Sequence, residues 1–363
     1  MTPRILIVRL GSLGDIVHAL PAVAALRDTF PHARLDWLVE SRWAELLELN
    51  PDLTNVFPVD TRAWRRAPLS PATWRGIGAL RRMLREANYD AAIDFQGLYK
   101  SAVLARLSGA KRRIGFGKGA AKEAGAARFY TENVQPPAFA KASLDSARDG
   151  SAGRPAGVHV IDMNRALARA AGAGETPVRF TLPTSAEDEA KVEEMLRAQH
   201  LNEFVVLSPG GGWGSKCWPV ERYAALHNGL ARERGWRTVL NAGPGEERLV
   251  REFEAQARVT KPVHLTLTLR QLVALVKRAK VLVSGDTGPL HLAAALGTPV
   301  VGLYGPTDPA RNGPYGPRAV VLHHREKANI TYKHEEGTSP ALLAITVEEV
   351  AAAVKRVLEM RSG

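Results

Sequence analysis

The chain has 363 residues, too many for one ordinary hydrophobic core and suited to two domains. Apolar residues make up 45% and charged residues 24%, a globular composition that excludes general disorder, while the net charge of +12 favours anionic partners: nucleic acid, phosphorylated ligands or anionic lipid. The single cysteine, Cys217, excludes an internal disulfide, and no secretory signal or apolar run of about 18 residues stands out, so the chain reads as soluble and cytoplasmic, touching a membrane only from its surface.

RILIVRL (4–10) is a β-branched and Leu-rich run that leads through Gly11 and Gly14 into the amphipathic stretch DIVHALPAVAALRDTF, a strand–turn–helix signature. The turn carries a carboxylate, Asp15, where a phosphate-binding helix start would favour none. ARLDWLVE (33–40) and YDAAIDFQG (89–97) read as further strands, and strands alternating with helical stretches argue for a parallel sheet covered on both faces.

Two basic segments belong to this half. Residues 62–85 hold seven arginines and no Asp or Glu, and residues 111–128 add six cations against Glu123 alone. Arginine pairs with carboxylates and phosphates through a planar fork, so the two segments suggest a multiply anionic partner, although a solvated basic face is the usual fate of any single arginine. Trp64 and Trp74 among them suit base stacking or a lipid interface; no nucleic-acid module accompanies them, so nucleic acid ranks lower.

Helical periodicity lapses over 172–184, and Ser185 with Asp188 then forms a capping-box signature. The domains are therefore set at 1–175 and 176–345, followed by a C-terminal helix over 346–363. The second half repeats the grammar of the first. EFVVLSPGGG (203–212), WRTVLNAGPG (236–245), KVLVSGDTG (280–288) and TPVVGLYGPTD (298–308) each run from a strand into a Gly-rich loop, where doubly wound sheets bind ligands.

In GDTGPLHLAAALG (285–297) a strand delivers Asp286, Thr287 and Gly288 to a helix expected to start at Pro289. The free amides there suit a diphosphate, with the Thr287 hydroxyl as an added donor and Asp286 turned to sugar or ribose hydroxyls; an N-cap role for Asp286 is the alternative. Lys216, in PGGGWGSKCWP (209–219), offers a compact charge to a phosphate, although the loop is no P-loop and a solvated lysine is the common case. Glu246 or Glu247 suits ribose hydroxyls, or simply a helix start. No HExxH, cysteine cluster or DxD pair suggests a metal, and no GxSxG elbow suggests a serine hydrolase.

Taken together, RILIVRLGSLGDIVHALPAV, LDWLVE, YDAAIDFQGLYKSAVLARL, the KCWP loop and SGDTGPLHLAAALGTPVVGLYGPTDP resemble the lipopolysaccharide heptosyltransferases, the type I branch most closely. The resemblance implies the α/β GT-B architecture: two Rossmann-like, doubly wound domains facing a central cleft, acceptor mainly on the first and nucleotide sugar mainly on the second, with the C-terminal helix packing back toward the first. It implies metal-free, inverting transfer of L-glycero-D-manno-heptose from an ADP-activated donor to a Kdo residue of Kdo-lipid A, with no cofactor, at the inner face of the inner membrane.

By the same resemblance Asp15 is the general base and Lys216 the donor-phosphate contact. Gly212, Glu246, Asp286, Thr287, Gly288 and His291 complete the donor side; Gly14, Arg62, Arg65, Arg66, Gln96, Lys100 and Lys122 form the acceptor side. Lys122 stands where the family often has arginine, and the SPGGGWGSK loop is poorer in hydroxyls than in enterobacterial type I enzymes, so backbone amides would assist Lys216. A GT-B enzyme with another nucleotide sugar or acceptor is the near alternative. A non-catalytic protein binding nucleotide sugar and anionic lipid is the distant one.

Overall fold

Runs that are apolar on both faces become central strands here, because parallel strands buried between helices present no face to water. The computed structural model describes residues 2–135, 158–331 and 337–360. The chain divides into two compact units, Met1–Pro183 and Thr184–Gly363.

In the first unit the strands are β1 (Arg4–Val8), β2 (Arg34–Glu40), β3 (Asn55–Val59), β4 (Ala91–Asp94), β5 (Arg112–Phe116) and β6 (Glu132–Val134), ordered β3-β2-β1-β4-β5-β6. All neighbours are parallel, and Val8 sits between Leu38 and Asp94 in register. The second unit contains β7 (Phe204–Ser208), β8 (Arg237–Leu240), β9 (Val263–His264), β10 (Leu282–Gly285), β11 (Val300–Tyr304) and β12 (Ala319–His323). Its order, β9-β8-β7-β10-β11-β12, is again 3-2-1-4-5-6 and again parallel throughout. In this topology the winding reverses beside the first strand, so a crevice opens between the loops that leave strands 1 and 4. Those loops follow β1 and β4 in one unit and β7 and β10 in the other.

The amphipathic stretch after β1 is two helices, Leu13–Val17 and Leu20–Thr29, where the sequence suggests one. Pro21 has no N–H for a helix bond, so it is tolerated only in a first turn, and a new helix begins just before it. Ser185 and Asp188 form the expected reciprocal cap on the helix Ala186–Ala198.

Each core is closed by a buried tryptophan whose one donor is satisfied: Trp37 Nε1 donates to the Arg9 carbonyl at 3.0 Å, and Trp218 Nε1 donates to that of Ile345 at 3.0 Å. The C-terminal helix Val347–Glu359, expected to pack back toward the first domain, places Val350, Val354 and Val357 in the core of the second unit beside Tyr223 and Leu226.

Candidate active site

In the first unit the chain leaves β1 through Arg9–Ser12, with a cis peptide between Gly11 and Ser12, and enters the helix Leu13–Val17 with Gly14 buried in its first turn. Asp15, at the third helical position, caps the helix by accepting from the Ser12 backbone N–H at 3.1 Å and the Ser12 hydroxyl at 3.3 Å. Its carboxylate also pairs with Arg9 and, at 3.4 Å, with Lys122 Nζ. The Asp15 side chain keeps 25% of its surface while that of Arg9 keeps 2%.

Burial pushes the Asp15 carboxyl up, but the charges of Arg9 and Lys122, a further contribution from His18 and the Ser12 amide outweigh it. The group is held far below the usual carboxylate range. Arg9 is the residue that sequence reasoning missed. It lies inside the quoted motif, and an arginine closing an otherwise apolar strand was the available signal. Its guanidinium also donates to the Phe95 carbonyl, tying the loop after β1 to the loop after β4.

Gln96 makes a second tie, its Oε1 accepting the Leu10 N–H at 2.9 Å, and it is only 6% exposed. The expected acceptor contact is thus engaged with the backbone of the Asp15 loop. Beneath it, the fully buried Asp94 accepts from Tyr130 Oη and Ser101 Oγ, both at 2.7 Å, and from the amides of Gln96 at 2.8 Å and Gly97 at 3.3 Å. Gly97 has φ +68°, and a Cβ there would stand 3.2 Å from the Lys122 amide, so glycine lets the segment carrying Lys122 approach.

Arg62, Arg65 and Arg66 lie exposed on the short helix Thr61–Arg66, capped by Asp60. Lys100 Nζ is 4.0 Å from Glu40, which also accepts from the Thr61 hydroxyl. Lys100 is pushed below the usual lysine range first by burial, which outweighs Glu40, and then by Arg65, Arg42 and Arg62. Three of the expected acceptor residues and Arg42 thus share one electrostatic neighbourhood, in which the buried carboxylate of Glu40 acts on Lys100 and Arg42.

In the second unit the loop after β7 passes through a single 3-10 turn, Gly214–Lys216, which brings Lys216 Nζ to 2.7 Å from Asp286 Oδ2 in the loop after β10. His291, one turn into the helix Gly288–Ala295, places Nε2 3.0 Å from Asp286 Oδ1. The Asp286 side chain is 6% exposed and that of Lys216 is 15% exposed. Burial raises the Asp286 carboxyl, but the His291 hydrogen bond and the Lys216 charge carry it well below the usual range. Lys216 Nζ also lies 4.5 Å from the Trp213 ring centroid.

The backbones meet closely here. A Cβ on Gly285 would stand 2.5 Å from the Lys216 carbonyl oxygen, one on Gly211 would touch Thr287 at 3.4 Å, and one on Gly210 would collide with the Glu246 carboxylate. Three loops, after β7, β8 and β10, therefore converge. Glu246 accepts the Gly243 N–H at 2.7 Å, while an added Cβ at Gly212 meets nothing within 4 Å.

One detail corrects the sequence reading. The helix starts at Gly288, with Thr287 as its N-cap residue and Pro289 second, so Asp286 is no N-cap. The Thr287 hydroxyl is 2.8 Å from the Ser284 hydroxyl, which orients it within the loop. Among the described residues no group of three or more His, Cys, Asp or Glu is placed to hold a metal, and no helix is long and apolar enough to cross a membrane.

Residues 77–340 match the model of glycosyltransferase family 9 (heptosyltransferase). The chain is 32% identical over 323 residues to lipopolysaccharide heptosyltransferase 1 of Pseudomonas aeruginosa, covering 88% of this chain and 83% of that protein. Among solved structures it resembles E. coli heptosyltransferase WaaC with ADP, at TM-score 0.74 and 27% identity over 98% of this chain and 99% of that one. It also resembles the same enzyme with ADP-2-deoxy-2-fluoro heptose, at TM-score 0.70 and 28% identity over 97% and 99%. Two doubly wound α/β units are the GT-B pattern expected above, and the chain belongs to glycosyltransferase family 9, the heptosyltransferases.

Proposed function

We propose that the protein transfers L-glycero-D-manno-heptose from its ADP derivative to a Kdo residue of Kdo-lipid A, with inversion and with Asp15 as general base, in building the lipopolysaccharide inner core at the cytoplasmic face of the inner membrane. The observation that carries this reading is a pair of charge clusters at equivalent crevices, one presenting a carboxylate and the other a lysine. Inverting transfer needs both a proton acceptor for the attacking hydroxyl and a positive charge for the departing diphosphate.

In the step, the acceptor oxygen bonds to the anomeric carbon as the bond from that carbon to the diphosphate oxygen breaks. The hydroxyl proton passes to Asp15 and the electron pair leaves with ADP. A carboxylate held low by Arg9 is a weak base, so it takes the proton late, once bond formation has made the hydroxyl acidic. Lys216 and the Gly288 helix start neutralise the leaving group, and Glu246 and Asp286 bind ribose and sugar hydroxyls. The WaaC structures it resembles hold ADP and ADP-2-deoxy-2-fluoro heptose, which supports this donor.

The test is incubation of the purified protein with ADP-heptose and Kdo-lipid A, with the product read by mass spectrometry. One added heptosyl unit is expected. Transfer from ADP-glucose or a UDP- or GDP-sugar with none from ADP-heptose would overturn the reading.

A further inference from the structure

The arginine-rich helix Pro71–Glu86 has two unlike faces. Leu80 and Leu84 enter the core beside Tyr89, while Trp74, Ile77, Gly78, Arg81 and Arg85, spaced for one helical stripe, face outward. With Val103, Arg106 and Leu107 of the helix Tyr99–Leu107, and with Phe129, that stripe lines an open groove of about 600 Å³. The floor is apolar and exposed, with Trp74 at 63% and Val103 at 39% of full exposure, and Leu69 in the turn before the helix at 90%. A Cβ on Gly78 would meet nothing within 4 Å, so the slot stays open where a side chain would fill it.

The groove's charge is one-sided. Arg81, Arg85 and Arg106 line it, Arg75 and Arg82 stand exposed on the same helix, and no acid occurs from 62 to 85. Arg81, Arg85 and Arg106 form no ion pair with a described carboxylate, unlike Arg112 with Glu132 or Arg179 with Asp28 and Asp52. An exposed tryptophan, aliphatic side chains and a rim of forked cations match the layered chemistry of a lipid headgroup region: phosphates outside, acyl carbons just beneath.

We propose that this groove is the surface by which the protein docks on a bilayer bearing anionic lipid, with Trp74 and Val103 at the acyl boundary and the three arginines on lipid phosphates. The inference rests on the reading of a lipid-linked acceptor for its purpose, but its physical basis is the groove alone.

Flotation with vesicles tests it, using full-length protein with phosphatidylcholine alone or with phosphatidylglycerol added. Neither vesicle contains acceptor or donor, so the result is independent of the transfer chemistry. The protein is expected to float with the anionic vesicles only. Each arginine near such a surface contributes about fivefold, so Arg81→Ala/Arg85→Ala/Arg106→Ala lowers partitioning roughly 100-fold. Trp74→Glu and Val103→Asp lower it as well without shifting the melting temperature, and turnover on a deacylated, water-soluble acceptor stays unchanged.

Three results would overturn the proposal. One is no flotation of the parent protein. Another is an equal loss in Arg232→Ala/Arg251→Ala/Arg258→Ala, which would assign binding to overall charge. The third is a dimer in vesicle-free solution that the groove variants dissociate, which would make a second copy the occupant.

Discussion

The loops at the two crevices use the same parts with opposite exposure. In each, a carboxylate stands between two basic groups, Asp15 between Arg9 and Lys122, and Asp286 between Lys216 and His291. After β1 the cation Arg9 is the buried member and the carboxylate reaches solvent; after β10 the carboxylate is the buried member and Lys216 reaches solvent. What a charge pair offers to a ligand is decided by which partner the fold buries. One topology thus leaves a carboxylate toward solvent in one unit and a lysine toward solvent in the other.

Removing the presented carboxylate is the severest test of this contrast. Asp15→Asn keeps the shape and the caps on Ser12 but accepts no proton, so kcat should fall about 10²- to 10⁴-fold, with ADP binding by calorimetry unchanged. Near-parental turnover would remove Asp15 from the base role.

The buried partner comes next. Arg9→Met leaves the Asp15 carboxylate and the Phe95 carbonyl without their guanidinium, costing about 3 kcal/mol in urea unfolding, near the lower end for a broken buried pair because Asp15 is partly exposed. The sign of the pH effect follows from the direction of the shift. A carboxyl held low in the folded state lends stability that is fully present above its unfolded pKa of about 4 and lost only as pH falls toward the folded value. The parent rate should therefore show no acid limb from Asp15 near neutrality, whereas Arg9→Met brings one into about pH 4 to 6. An unchanged rate profile would mean that Arg9 does not set the basicity of Asp15.

The mildest effect belongs to the lysine. Lys216→Ala removes one charge-assisted contact, so ADP should bind about 10- to 100-fold more weakly. Equal ADP affinity would return Lys216 to a structural partner of Asp286.

Much of this was legible because both sheets advertise their inner strands. β1, β7, β10 and β11 are apolar on both faces and end in glycine loops, and those loops hold Asp15, Lys216 and Asp286. The strands farther from the centre of each sheet were harder. β3 contains Pro58, which an outer strand tolerates because one side of its backbone makes no ladder bonds; β5 opens with two arginines; and β9 has two residues. Arg9 and Glu40 escaped notice because their roles depend on partners distant in sequence, Phe95 and Lys100, that pattern within one segment does not reveal. Thr287 rather than Asp286 is the N-cap residue, and the Asp286 carboxylate is engaged instead by Lys216, a partner distant in sequence that no local pattern reveals.

The Asp94 cluster has a consequence in time. Its carboxylate receives the amides of Gln96 and Gly97, so two loop N–H groups that would ordinarily trade hydrogen with solvent are sequestered as strand amides are. Deuterium should enter them as slowly as it enters β4, while the neighbouring Tyr99 amide, held by the exposed Glu123, labels early. The floor beneath Asp15 would then keep its arrangement through many catalytic cycles, with each turnover meeting a scaffold already set.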